Sequence, residues 1–219
     1  MQSIVTLFDI LSQYGDAFSH DFWQMILSGV IKPLFDEIQF SFQSKKFSSK
    51  DKDLMVYKES CQQAFNRIID IYNTYYDKLN YFTENLFGIL LNCIQNSHEV
   101  LAKISVNALK YTINQSHKNF GPKEWELIID LFSKICKNTT PVQLIDQQFI
   151  NKSNEPKEKK VTSSFNLVIS QTKKTLKFNS EECVTQCVVQ LLMVSLIKEV
   201  IETHFDHFTD EVLLLFVIS

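Results

Sequence analysis

Four residues near the carboxyl end are the first whose types and spacing could do chemistry. Cys183 and Cys187 stand four apart and His204 and His207 three apart, so a helix would carry each pair on one face. Thiolate and imidazole are zinc ligands, and four of them converging would close a tetrahedral site. The two pairs would have to meet, however, and the cysteines sit in an otherwise apolar run, CVTQCVVQLLMVSLI. That setting predicts core cysteines and no metal site. The chain also lacks a glycine-rich phosphate loop, HExxH, GxSxG and CxxC, so the commonest nucleotide-binding, zinc-protease and hydrolase chemistries have no residues to run on. No catalytic, cofactor-binding or metal-binding residue is assigned, and the chain is expected not to be an enzyme.

The residues that do repeat are aromatic. FSHDFWQMI places Phe18 five residues before Trp23, and FGPKEWELI places Phe120 five residues before Trp125. A weaker middle copy has Tyr76 and Tyr81. These rings could form a partner-binding patch, but their helical register favours packing inside a core. Six lysines, Lys157, Lys159, Lys160, Lys173, Lys174 and Lys177, could touch acidic lipid headgroups; Glu155 and Glu158 dilute that charge, and a solvated loop is the expected reading.

The elements that must position the rings follow from periodicity. From Trp23 the apolar positions run Ile26, Leu27, Val30, Ile31, Leu34, Phe35 and Ile38, one helical stripe, with Pro33 expected to bend it or break its hydrogen bonding. Similar stripes begin at Phe82 and Trp125, and each of the three is preceded by another amphipathic helix. Gly121-Pro122 puts proline at a first helical position, Ser97 offers an N-cap, and Ser180 before Glu181 and Glu182 offers another. The helix that follows, over residues 181–204, is apolar on most of its circumference and is expected to be buried on both sides.

The aromatic pairs thus mark where one helix of a hairpin ends and its antiparallel partner begins. The interval from residue 76 to 120 falls within the period of roughly 40–47 residues of HEAT and armadillo repeats, and the longer one from residue 18 to 76 is read as lengthened by a polar insertion. The fold expected is all-α, a HEAT/armadillo-like α-solenoid of antiparallel helix pairs. Residues 1–140 would hold three pairs with a polar insertion at 40–53, residues 141–180 a polar, lysine-rich loop, and residues 181–219 further solenoid helices. The apolar ending VLLLFVI has no polar capping repeat after it, which predicts a piece of a longer protein.

Composition agrees. Four glycines and four prolines in 219 residues are few for a β-sandwich or a nucleotide-binding α/β fold. A net charge of −3 gives no reason to expect nucleic acid as a partner. Asp9 and the lack of a basic leader argue against a secretory signal, and the apolar runs read as too short and interrupted to span a bilayer. Five cysteines without a CxxC fit a reduced, cytosolic setting.

The segments YGDAFSHDFWQMILSGVIKPLFDEI, the stretch from Ile104 to Trp125, and QCVVQLLMVSLIKEVI together resemble the C-terminal HEAT region of the BIG-type, brefeldin-A-inhibited large Arf guanine-nucleotide exchange factors. The likeness covers nearly the whole chain. It implies a non-catalytic regulatory or scaffolding segment, because the exchange domain of that family has no counterpart here. It also implies partners among small GTPases of the Arf and Rab classes, a cytoplasmic place on trans-Golgi or endosomal membranes, membrane recruitment or autoregulation, and possible self-association. A Mon-two-like trafficking scaffold and a stand-alone helical adaptor are the alternative readings.

Overall fold

The structure, a computed structural model, describes residues 2–44, 52–142 and 180–207. Every element among them is helical: α1 (Gln2–Tyr14), α2 (His20–Ile26), α3 (Lys32–Ser44), α4 (Lys52–Thr74), α5 (Tyr76–Leu79), α6 (Thr83–Ile94), α7 (Glu99–Ser116), α8 (Pro122–Asn138) and α9 (Ser180–His204). Short 3-10 turns at Gly15–Ala17, Asn80–Phe82, His117–Asn119 and Phe205–His207 join or end them. The lysine-rich stretch at 143–179 and the apolar ending at 208–219 lie outside the described residues.

Pro33 explains the join between α2 and α3. It has no N–H to donate to the carbonyl four residues back, and its ring crowds that turn. The backbone widens into a π segment over Leu27–Ile31, closed by the Lys32 N–H donating to the Leu27 carbonyl. The stripe survives the change of winding, with Trp23, Leu27, Ile31, Phe35 and Ile38 all buried. It also runs further than the sequence suggests. Residues 40–44 are helix, not loop, because Phe42 continues the stripe one turn past Ile38 and packs 5.2 Å from the Tyr57 ring and 5.0 Å from His98.

α7 is the central helix, in contact with α4, α6 and α9. Three neighbours can approach it because many of its buried side chains are small: Ala102, Ser105, Ala108, Thr112 and Ser116. The Ser105 and Thr112 hydroxyls donate to carbonyls four residues back, which satisfies them inside the core. Polar ties then fix the neighbours. Tyr111 donates to Asp70 of α4 at 2.7 Å, and Lys110 pairs with Glu199 of α9. Elsewhere α1 lies on α4, α6 touches α3 and α8, and α8 touches α9. The N-cap of α7 is His98, not Ser97, since Asn96 turns its side-chain oxygen onto the His98 N–H and starts the helix one residue later.

Two expectations for α9 change. It is not buried on both sides: Val189, Met193, Leu196 and Val200 face the core, while Val184, Leu191 and Val194 are 53%, 72% and 64% exposed. Its described neighbours include α7, α8 and the Ser97 carbonyl, which accepts from Thr185. Second, Glu181–His204 is long and apolar enough to cross a bilayer by length and composition. Twenty-four residues make about 36 Å of helix, because the polar residues that seemed to interrupt the run are isolated ones that do not shorten it. In the structure 28% of its most apolar window is buried against the rest of the protein.

Candidate functional site: aromatic junctions and uncovered faces

At the first junction a 3-10 turn over Gly15–Ala17 ends at Phe18, whose backbone is extended at φ −81° and ψ 134°. The Phe18 N–H donates to the Gly15 carbonyl at 3.2 Å, and Ser19 caps α2 by accepting from the Phe22 N–H. The third junction repeats this 102 residues later. A 3-10 turn over His117–Asn119 ends at Phe120, φ −81° and ψ 128°, whose N–H donates to the His117 carbonyl at 3.2 Å. Each phenylalanine then meets its tryptophan edge-on, Phe18 to Trp23 at 5.3 Å and Phe120 to Trp125 at 5.8 Å.

Both tryptophans are also covered by a ring delivered from a later helix. Tyr75, just past the end of α4, lies 5.6 Å from Trp23 at an interplanar angle of 44°. His204, at the end of α9, lies 5.5 Å from Trp125 at 42°. Trp23 is fully buried and its Nε1–H donates to the Gly15 carbonyl. A Cβ on Gly15 would stand 2.5 Å from Tyr75 and 2.7 Å from Trp23, so only glycine fits there. Gly15 is the residue that sequence reasoning missed; its place three residues before Phe18 was the available signal.

Tyr76 and Tyr81 are placed differently. Tyr76 is in α5, where the first and third junctions have extended backbone, and its ring neighbours are Tyr72 and Phe120. Tyr81 lies on the 3-10 turn before α6 with its ring 4.4 Å from His20. Here the polar groups carry the packing: the Tyr72 and Thr83 hydroxyls share a 2.6 Å hydrogen bond, and Thr83 donates to the Asn80 carbonyl. Burial, and then the Glu124 carboxylate beside it, push Tyr76 up to about 12. Burial pushes the thiols of Cys61 and Cys93 up to about 12 as well, which leaves them protonated and unreactive.

The residues considered for metal chemistry are dispersed. Cys183 is buried and Cys187 half-buried near the start of α9, while His204 sits between the rings of Trp125 and His117 at its far end. No cluster of three or more metal-ligating side chains occurs among the described residues. Two features face solvent instead: the apolar stripe of α9 and a hollow of about 500 Å³ between α1, α3 and α4.

The described residues define an all-helical fold in which two of the aromatic junctions share one backbone course. No family model matches the chain, and no solved structure matches it. Among curated proteins it is 30% identical over 141 residues to the ADP-ribosylation factor guanine nucleotide-exchange factor SEC7 of Saccharomyces cerevisiae, a match covering 64% of this chain and 7% of that protein. It is 20% identical over 228 residues to an ADP-ribosylation factor guanine nucleotide-exchange factor of Schizosaccharomyces pombe, covering 96% and 12%. It is 23% identical over 148 residues to Brefeldin A-inhibited guanine nucleotide-exchange protein 2 of Arabidopsis thaliana, covering 62% and 8%. The chain spans between 7% and 13% of the length of the relatives it matches, and it is similar to one stretch of these exchange factors.

Proposed function

We propose that this chain is a non-catalytic helical segment of a large Arf guanine-nucleotide exchange factor. In this reading it is a HEAT- or armadillo-type solenoid that regulates or scaffolds the enzyme on Golgi membranes, and its parent protein acts on Arf-class GTPases. The observation that carries the reading is the similarity to exchange factors over as much as 96% of the chain, with no more than about an eighth of their length involved. The stacking supports it: a ring from a later helix covers each tryptophan at nearly the same distance and angle, as repeats laid one on the next require.

Two measurements test this together. Purified chain added to GDP-loaded Arf is expected to leave the rate of nucleotide release unchanged. A denaturing blot of whole-cell lysate, with an antibody against the peptide sequence 141–180, is expected to show a band several times heavier than 25.5 kDa. Accelerated release would make the segment catalytic, and a band near 25.5 kDa would favour a stand-alone adaptor.

A further inference from the structure

The hollow between α1, α3 and α4 is a slot with an apolar interior and one cation at its end. Its floor is Phe8, Ile38, Cys61 and Ala64, each less than a tenth exposed although they line about 500 Å³ of open space. Its more exposed lining is Ile4, Val5, Leu34 and Tyr57. The cause lies in how α1 is held. Its second half is tied to the neighbouring elements, with Asp9 on Arg67 at 2.9 Å and the Ser12 carbonyl accepting from Tyr75. In its first half Ile4 and Val5 are 36% and 44% exposed. The small side chains of Cys61 and Ala64, one turn apart on α4, leave the space beneath unfilled.

A partner helix about 10 Å across needs an open groove, and these floor residues are not open. A single flexible chain needs only a slot. The residues lining the hollow on α4 extend from Tyr57 to Arg67, about 15 Å of helix, and the apolar floor ends at Arg67. Its guanidinium has five N–H donors, of which the recorded pair with Asp9 uses one, and it is 45% exposed. Glu37, on the opposite wall, accepts from Ser41 and sets the acidic side of the mouth. We infer that this slot binds a single-chain amphiphile, a fatty-acid-like molecule with its hydrocarbon on the Phe8, Ile38, Cys61 and Ala64 floor and its negative head on Arg67.

The test is displacement of the fluorescent fatty acid parinarate from the full chain by laurate, repeated with the neutral alcohol dodecanol. Saturable uptake of one parinarate per chain is expected, with laurate displacing it. Ala64→Trp, which fills the floor, is expected to weaken uptake by roughly tenfold or more. Ser60→Trp, at the half-buried edge, does the same where the first variant fails to keep its helical circular dichroism. Arg67→Gln is expected to weaken laurate several-fold and leave dodecanol unchanged. Uptake that does not saturate, uptake indifferent to both tryptophan variants, or displacement by an amphipathic helical peptide at lower concentration than laurate would each overturn the inference. Equal loss of laurate and dodecanol in Arg67→Gln would overturn the assignment of the head.

Discussion

The first and third aromatic junctions share a backbone and differ in what supports it. Residues 15–25 and 117–127 follow the same course: a 3-10 turn, an extended phenylalanine, a cap and a buried tryptophan. At the first, Gly15 lets Tyr75 and Trp23 close over the bare backbone; at the third, His117 occupies that position and its ring stacks 4.7 Å from His204. The caps differ in a complementary way. Ser19 uses its side chain on the Phe22 N–H, whereas Gly121 has none, and Glu124 reaches back to the Gly121 N–H at 2.9 Å. Each junction therefore carries one half of a capping box. A repeat needs its backbone and its buried ring; the groups that hold them can be exchanged.

The largest expected effect breaks both junctions alike. Trp23→Ala and Trp125→Ala each remove a side chain that is at most 1% exposed and leave a cavity, at a cost of about 3–5 kcal/mol. Chemical denaturation of each variant checks this, and a loss below about 1 kcal/mol at either site would mean that the ring is not a core element there. The next effect separates them. Gly15→Ala drives a methyl into Tyr75 and Trp23 and is expected to cost about 1–3 kcal/mol. His117→Ala removes a half-buried ring at the matching position and should cost about 1 kcal/mol or less. Equal costs would mean that the two junctions are supported in the same way after all.

How much of this was legible follows from which signals are local. The proline start of α8 and the all-helical class are written in spacing and residue type and appear in the structure as read; the stripe from Trp23 to Ile38 does so except at Val30, which is 40% exposed within the π segment. The role of Gly15 was not, because its partner Tyr75 is sixty residues away and only the fold brings it there. The middle tyrosines were read by analogy of spacing, yet Tyr76 is helical, and a five-residue interval between aromatics does not by itself specify an extended turn. The exposed side of α9 was illegible for a different reason. Composition says that a helix apolar all round wants cover on every side, but not which neighbours stand beside it. The slot depends on three helices diverging, and periodicity carries no information about interhelical gaps.

Alkaline titration distinguishes the junctions by charge. Tyr76 packs beside Phe120 and near Glu124, and its neutral form is favoured in the folded state. Its folded pKa of about 12 exceeds the ordinary value of 10.0, so the stability it contributes is complete below that ordinary value and is lost as pH rises through and beyond it. Tyr72, Cys61 and Cys93 are raised by burial and act in the same direction. The melting temperature is therefore expected to fall as pH climbs past about 9–10, and Tyr76→Phe should make that fall shallower. An unchanged slope in the variant would place the alkaline loss on the cysteines and on the other raised tyrosines, Tyr72, Tyr81 and Tyr111.

The smallest effects test the divided capping box. Ser19→Ala removes the only side-chain cap that the first junction records for α2 and is expected to cost about 1 kcal/mol. Gly121→Ser supplies the half that the third junction lacks. The backbone at Gly121, φ −95° and ψ −174°, is extended and open to any residue, and an added Cβ would stand 3.3 Å from the Glu124 Oε2, a contact that a flexible carboxylate can relieve by a small shift. A gain of a few tenths of a kcal/mol is expected, since serine exceeds glycine as an N-cap by about that much. A loss instead would mean that Glu124 cannot move without giving up its bond to the Gly121 N–H, and that the side chain at residue 121 is limited by the cap the next turn already provides.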